Sequence, residues 1–269
     1  MISQFSLDHI GVQVIATDGS MRWTLRDISS TFRANERIGL LGRNGSGKTT
    51  LARLIGQLDH PTTGKLQVRP SHARALLVLQ RPEDHFVRGM VGEQVNSYAP
   101  RPMSPDAIHD LLQRVGLPVK VGRWPPLRLS TGQQRLVAFA CALASQVHFI
   151  VMDEPMAGLD AGGRQLVKQS LIQLNDAQEL GWMIISHHPD DLLGLVDRIL
   201  VLEEGALLYD GPFQCAPLDI LEVCLSAGNS SLYYWLRTLD SQGVVLPEAV
   251  YRATRPDQIT DLISGAEIP

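Results

Sequence analysis

Three features of the 269-residue chain predict an α/β fold with a mostly parallel sheet and an added antiparallel β part. Strand-like apolar runs alternate with helical segments through the middle of the chain, the pattern of a parallel sheet with crossover helices. An early and a late pair of strand-like segments are each joined by a turn. A glycine-rich loop lies between an apolar run and a helix. That loop, Gly42-Arg43-Asn44-Gly45-Ser46-Gly47-Lys48-Thr49, fits G-x-x-x-x-G-K-[ST], the phosphate-binding P-loop. Residues 38–41 precede it as a buried strand. Residues 49–58 follow as a helix, with Leu51, Leu54, Ile55 and Leu58 on one face. Glycines let the backbone curl so that successive N–H groups point at phosphate oxygens, and the helix N-terminus adds positive potential. Lys48 is placed to reach the β- and γ-phosphates, and the Thr49 hydroxyl to ligate Mg²⁺. With Thr50, these residues form the candidate phosphate-binding set.

Hydrophobic residues make up 44% of the chain and charged residues 19%, enough apolar content for a sizeable core. The net charge of -4 gives no footprint for nucleic acid, which would favour a basic domain. Cys141, Cys215 and Cys224 have no C-x-x-C spacing. They suit a reducing cytosol and give no disulfide or metal framework. Asp8 near the start and the lack of a long apolar run there argue against a signal peptide. Apolar runs such as 149–152 fall far short of the ~18 residues a membrane span needs. The chain is expected to be soluble, so work at a membrane requires a partner to hold it there.

In chain order, residues 5–15 alternate loosely and read as a strand, Thr17-Asp18-Gly19-Ser20 is a turn signal, and 25–32 read as a second strand. His60-Pro61-Thr62-Thr63-Gly64 ends the P-loop helix. Short strands follow at 65–68 and 75–79, the latter ending at Gln80. Residues 81–147 are mostly helical. Pro105 starts a helix over 106–115, Gly116-Leu117-Pro118 breaks it, and a second helix covers 130–143. Then come a buried strand at 149–152, a helix at 164–174, a strand at 183–185 and a short helix at 189–196. A hairpin over 199–202 and 206–209 turns at Glu203-Glu204-Gly205. Gly211-Pro212 marks a boundary. The domain reading is 1–211, with 81–147 as a helical subdomain, followed by a small, mainly helical appendage over 212–269.

Two further motifs bear on chemistry. Val151-Met152-Asp153-Glu154 ends a hydrophobic strand with adjacent carboxylates. In a P-loop enzyme the strand-terminal Asp153 would hold Mg²⁺, and Glu154 would take a proton from the attacking water. Leu129-Ser130-Thr131-Gly132-Gln133 opens a helix with small residues, so backbone N–H groups and the Ser130 hydroxyl face an anion or simply cap the helix.

Together with the P-loop, this order resembles the nucleotide-binding subunit of ABC transporters, over residues 5–210. The family signature there is Leu-Ser-Gly-Gly-Gln, and this chain carries Thr131 in place of the first Gly. The resemblance implies a P-loop ATPase core with a helical signature subdomain. It implies that Gln80 is the Q-loop glutamine that contacts Mg²⁺, that Ala157-Gly158-Leu159-Asp160 is the D-loop, and that His187 is the switch histidine at the γ-phosphate. His188 stands where the family often has Asp. The family also carries an aromatic that stacks on adenine near the end of the first strand. Here that region reads Val14-Ile15-Ala16-Thr17, and Trp23 lies in the next segment, which implies loose base selectivity.

Gln80-Arg81-Pro82-Glu83-Asp84-His85-Phe86 and Met156-Ala157-Gly158-Leu159-Asp160 are similar to segments of energy-coupling-factor importers and their cobalt and nickel relatives. Gly243-Val244-Val245-Leu246-Pro247 loosely resembles a stretch of their C-terminal domain, which helps pair two ATPase subunits. The resemblance implies a peripheral subunit on the cytoplasmic face of the cell membrane that binds and hydrolyses ATP with Mg²⁺. Its expected partners are a second ATPase subunit, a transmembrane scaffold docking near residues 80–100, and a substrate-binding membrane protein for a vitamin or metal ion, but no nucleic acid. Ser130 and Gly132 would act across the pair on a nucleotide held by the partner, and Gln133 and Asp160 are further candidate nucleotide-binding residues. The alternatives are a soluble ABC ATPase and a non-hydrolysing regulatory subunit.

Overall fold

The structure, a computed structural model, describes residues 2–16, 19–81, 86, 89–177 and 180–222. In chain order the strands are β1 (Gln4–Ile15), β2 (Met21–Arg33), β3 (Arg37–Gly42), β4 (Thr63–Arg69), β5 (Ala75–Val78), β6 (Phe149–Asp153), β7 (Gly181–Ser186), β8 (Arg198–Glu203) and β9 (Ala206–Pro212). They make two sheets, one ordered β2-β1-β4 and the other β5-β6-β7-β3-β8-β9. In the larger sheet β5, β6, β7, β3 and β8 are parallel, and β9 pairs back on β8 as the expected hairpin. The early pair closes with β4 into a separate antiparallel sheet.

Side-chain alternation along the parallel strands divides the core into two faces. Ile38 and Leu40 of β3, Phe149 and Val151 of β6, and Met183 and Ile185 of β7 pack with Leu51, Leu54 and Ile55 of α1 (Lys48–Ile55) and with the small sheet. Phe149 meets Phe5 and Phe32 of that sheet with ring centroids 5.6 and 5.0 Å away. Leu41, Ile150, Met152 and Ile184 face the opposite way, toward α4 (Thr131–Ala144) and α5 (Ala161–Ala177). The helical part adds α2 (Val91–Tyr98) and α3 (Pro105–Arg114), and Ser104 caps α3 by accepting from the Ala107 N–H at 3.2 Å.

Some expected boundaries move. The P-loop helix stops at Ile55, because Gly56 and the left-handed Gln57 end it, and Leu58 is left 57% exposed, off the apolar face. The expected helix over 189–196 is a single 3₁₀ turn, Pro189–Leu192, followed by Gly194 in a left-handed conformation. Packing continues past Pro212. Phe213, Ala216 and Leu221, the last in α6 (Leu218–Glu222), are buried in the same core as α4 and α5. Residues 17, 18, 82–85 and 223–269 lie outside the described residues. They include much of the first turn, most of the Gln80–Phe86 segment and nearly all of the expected appendage.

Candidate nucleotide site

The loop after β3 is held by its own geometry. Gly47 caps α1 with φ 103°, and a side chain there would meet the Thr24 carbonyl at 2.6 Å and Leu25 Cδ2 at 2.7 Å. Only glycine fits where the loop passes beneath β2. Ser46 N–H donates to the Arg43 carbonyl at 3.1 Å, and the buried Lys48 ammonium donates to the Gly42 and Arg43 carbonyls at 2.7 and 2.9 Å. Ser46 Oγ is buried with no hydrogen-bond partner among the described residues, a donor that a phosphate oxygen would satisfy.

Period-two alternation decides what faces this loop. Asp153 follows Phe149 and Val151 on the α1 side of β6, and its Oδ2 accepts from Thr49 Oγ1 at 3.0 Å. Burial pushes the Asp153 carboxyl above its ordinary range, while the Thr49 hydrogen bond and the Lys48 charge pull it back. Glu154 turns the chain with φ 49°, and its N–H donates to the Ile185 carbonyl at 3.0 Å. Its Oε1 lies 2.7 Å from Nδ1 of His187, just beyond β7. The His188 ring sits against His187 with centroids 4.0 Å apart.

These groups share a cleft of about 380 Å³. Asn44, Gly45, Gly47, Lys48, Thr49 and Thr50 line one side, and Gln80, Asp153, Glu154 and His187 line the other. Thr24 of β2 completes the wall, with no motif to announce it. A neighbouring cleft of about 620 Å³ shares Thr24, Asn44 and Gly45 and adds Arg43 and Ser46. Gly42 is buried behind both, at the end of β3. Val14 and Trp23 also line the second cleft. Trp23 pairs with Gln13 across a bulge, so the antiparallel register returns an indole to the end of β1.

The remaining candidates stand outside both clefts. Ser130 Oγ accepts from Gln133 N–H at 3.3 Å, and Gln133 Oε1 accepts from Ser130 N–H at 3.2 Å, a reciprocal capping box on α4. Gly132 is buried against Gly163, where an added Cβ would lie 3.4 Å from its Cα. Asp160 Oδ1 accepts from Gly163 N–H at 2.7 Å at the start of α5.

Phosphate cradle, oxygen donors and a histidine-held carboxylate converge where a terminal phosphate would lie, and that makes the molecule a P-loop nucleotide hydrolase by class. The family model "ABC transporter" matches residues 25–157. A cobalt import ATP-binding protein, CbiO, from Syntrophus aciditrophicus is 35% identical over 85% of this chain and 80% of its own. An energy-coupling factor transporter ATP-binding protein, EcfA1, from Caldanaerobacter subterraneus is 34% identical over 70% of this chain and 73% of its own. The solved structure of cbiO1 from Clostridium perfringens, described as part of the cbiONQ complex, superposes with a TM-score of 0.69 at 21% identity, covering 88% of this chain and 94% of that one. The chain belongs to the ABC transporter ATP-binding proteins, the ATP-hydrolysing cassettes of that family. No helix among the described residues is long and apolar enough to cross a membrane.

Proposed function

We propose that this chain is the ATP-hydrolysing subunit of an energy-coupling-factor type importer, powering uptake of a vitamin or transition-metal ion. The observation that carries hydrolysis, rather than nucleotide sensing alone, is the 2.7 Å contact between Glu154 and His187 in the same cleft as Lys48, Thr49 and Asp153. The importer class is supported by the names of the cobalt-import and energy-coupling-factor relatives.

Thr49, Asp153 and Gln80 offer oxygen donors of the kind Mg²⁺ takes, and would hold the ion. Bound there, Mg²⁺ supplies charge neutralisation at the β- and γ-phosphates. Lys48 and the loop N–H groups fix the phosphate chain, Glu154 draws the proton from the attacking water, and His187 orients that carboxylate. Ser130 and Gly132, presented outside the cleft, would close on a nucleotide held by a second ATPase subunit, with residues 212–269 helping the two pair. The region near residues 80–100, which includes α2, is where a cytoplasmic helix of the transmembrane scaffold would dock. The chain would then sit peripherally on the cytoplasmic face, with cargo bound by a separate membrane protein.

Affinity purification of the tagged chain from detergent-solubilised native membranes, followed by mass spectrometry, tests this. Recovery with one polytopic scaffold and a small membrane-embedded binding protein is expected. Recovery of the chain alone across mild detergents overturns the importer reading.

A further inference from the structure

We infer that Arg135 is a positioning residue for Glu154, tying the catalytic carboxylate to the helix that carries Ser130 and Gly132. The inference rests on Glu154 being the general base. Arg135 lies in the second turn of α4 and is 5% exposed. Its Nη1 donates to the Glu154 carbonyl at 3.0 Å and its Nη2 to the Ala157 carbonyl at 2.7 Å. A planar guanidinium presents two N–H groups in a fixed fork, so meeting both carbonyls sets their spacing as well as their position.

The Glu154 backbone needs such a restraint. Its φ of 49° is a left-handed conformation that a non-glycine residue keeps only when its surroundings impose it. Its N–H is fixed by the Ile185 carbonyl, and its carbonyl also accepts from Ala157 N–H at 3.1 Å. The same segment is held further along by α5. Arg164 Nε donates to the Leu159 carbonyl at 3.3 Å, and its Nη1 donates to the buried Asp191 at 2.8 Å. Asp191 accepts from Ser186 Oγ at 3.1 Å, and Ser186 Oγ accepts from the His188 N–H at 3.0 Å. Residues 154–159 are thus clamped by one guanidinium from each helix. Arg164 links them to the loop bearing His187. Arg135 links them to α4, so a tilt of α4 shifts the Glu154 backbone and with it the 2.7 Å approach of its carboxylate to His187.

The test uses Arg135→Gln and Arg135→Lys in the full chain, with ATP affinity followed by a fluorescent ATP analogue and turnover by single-turnover phosphate release. Arg135→Gln is expected to lower kcat by about 10- to 100-fold, the scale of a displacement near 1 Å, with ATP affinity unchanged within about twofold. Arg135→Lys, able to reach one carbonyl, should fall between. Because Arg135 acts through Glu154, adding either substitution to Glu154→Gln should cost nothing further. Additive losses, or parallel losses of affinity and turnover, overturn the inference. If Arg135→Gln does not fold, the cycle is run with Arg135→Lys. Wild-type turnover by Glu154→Gln refutes the base assignment itself. Wild-type turnover by Arg135→Gln beside an inactive Glu154→Gln refutes only the role of Arg135.

Discussion

The P-loop and the Ser130 loop both open helices with small residues, yet the chain treats them differently. At the P-loop, α1 meets a wall built by β6 and β7, and Thr49, Asp153, Glu154 and His187 gather around one cleft. At the Ser130 loop the local groups satisfy one another. Ser130 and Gln133 cap the helix reciprocally, and Gly132 is closed against Gly163. A helix N-terminus becomes an anion site only when something sets a ligand against it. The P-loop has its opposite wall within the same chain. The Ser130 loop presents exposed Ser130 and Thr131 to whatever lies outside. This asymmetry is what the proposed site shared between two subunits would require.

The comparison is most sharply tested at Glu154. Glu154→Gln should lower phosphate release by about 10²- to 10⁴-fold, the range of a positioned general base, while ATP stays bound. A variant that hydrolyses ATP at the wild-type rate would remove the glutamate wall from the account of why the P-loop side is complete. Lys48→Ala comes next. Losing a charge-assisted hydrogen bond to phosphate costs about 1.5–3 kcal/mol, roughly 10- to 100-fold in ATP affinity by nucleotide titration. Unchanged affinity would mean that Lys48 only braces the loop through the Gly42 and Arg43 carbonyls.

Much of this cleft could be read from local sequence because local rules build it. The motif names Lys48 and Thr49, alternation along β6 sends Asp153 toward α1, and His187 sits just beyond an apolar strand. What escaped the sequence depends on contacts between distant segments. Trp23 reaches the end of β1 through a bulged antiparallel register, which spacing along the chain does not reveal. The pairing of β1 with β4 is equally non-local. Arg135 looks like a lone cation in an otherwise uncharged helix, because its acceptors are backbone carbonyls, and those carry no residue type to recognise. Leu58 misled because its apolar spacing continues past the point where Gly56 and Gln57 end the helix.

On the Ser130 side the expected effects are smaller and separable. Ser130→Ala removes the α4 cap, about 1 kcal/mol, and should lower the melting temperature by about 2–4 °C. Ser130→Gly keeps most of the cap energy, which glycine changes by only a few tenths of a kcal/mol. In both variants the single chain should bind ATP as before. Both should slow turnover by about tenfold if, as proposed, the hydroxyl donates toward charge that develops on a partner's nucleotide. A turnover loss confined to Ser130→Ala would make the hydroxyl a cap and nothing more.

The smallest effect is expected at Thr131, where the chain departs from the family signature. Thr131 is the first helical residue of α4 and is exposed, so its methyl and hydroxyl touch the outer surface rather than the core. Thr131→Gly should therefore leave stability within about 0.5 kcal/mol, the difference in helix propensity. If that surface closes on nucleotide, clearing the Cβ lets backbone approach more closely, and turnover should rise by about two- to fivefold, under 1 kcal/mol in barrier. The measurement is steady-state phosphate release at saturating ATP and raised protein concentration, where pairing is favoured. An unchanged rate there, together with an unchanged rate for Ser130→Gly, would mean that the two loops are not halves of one site.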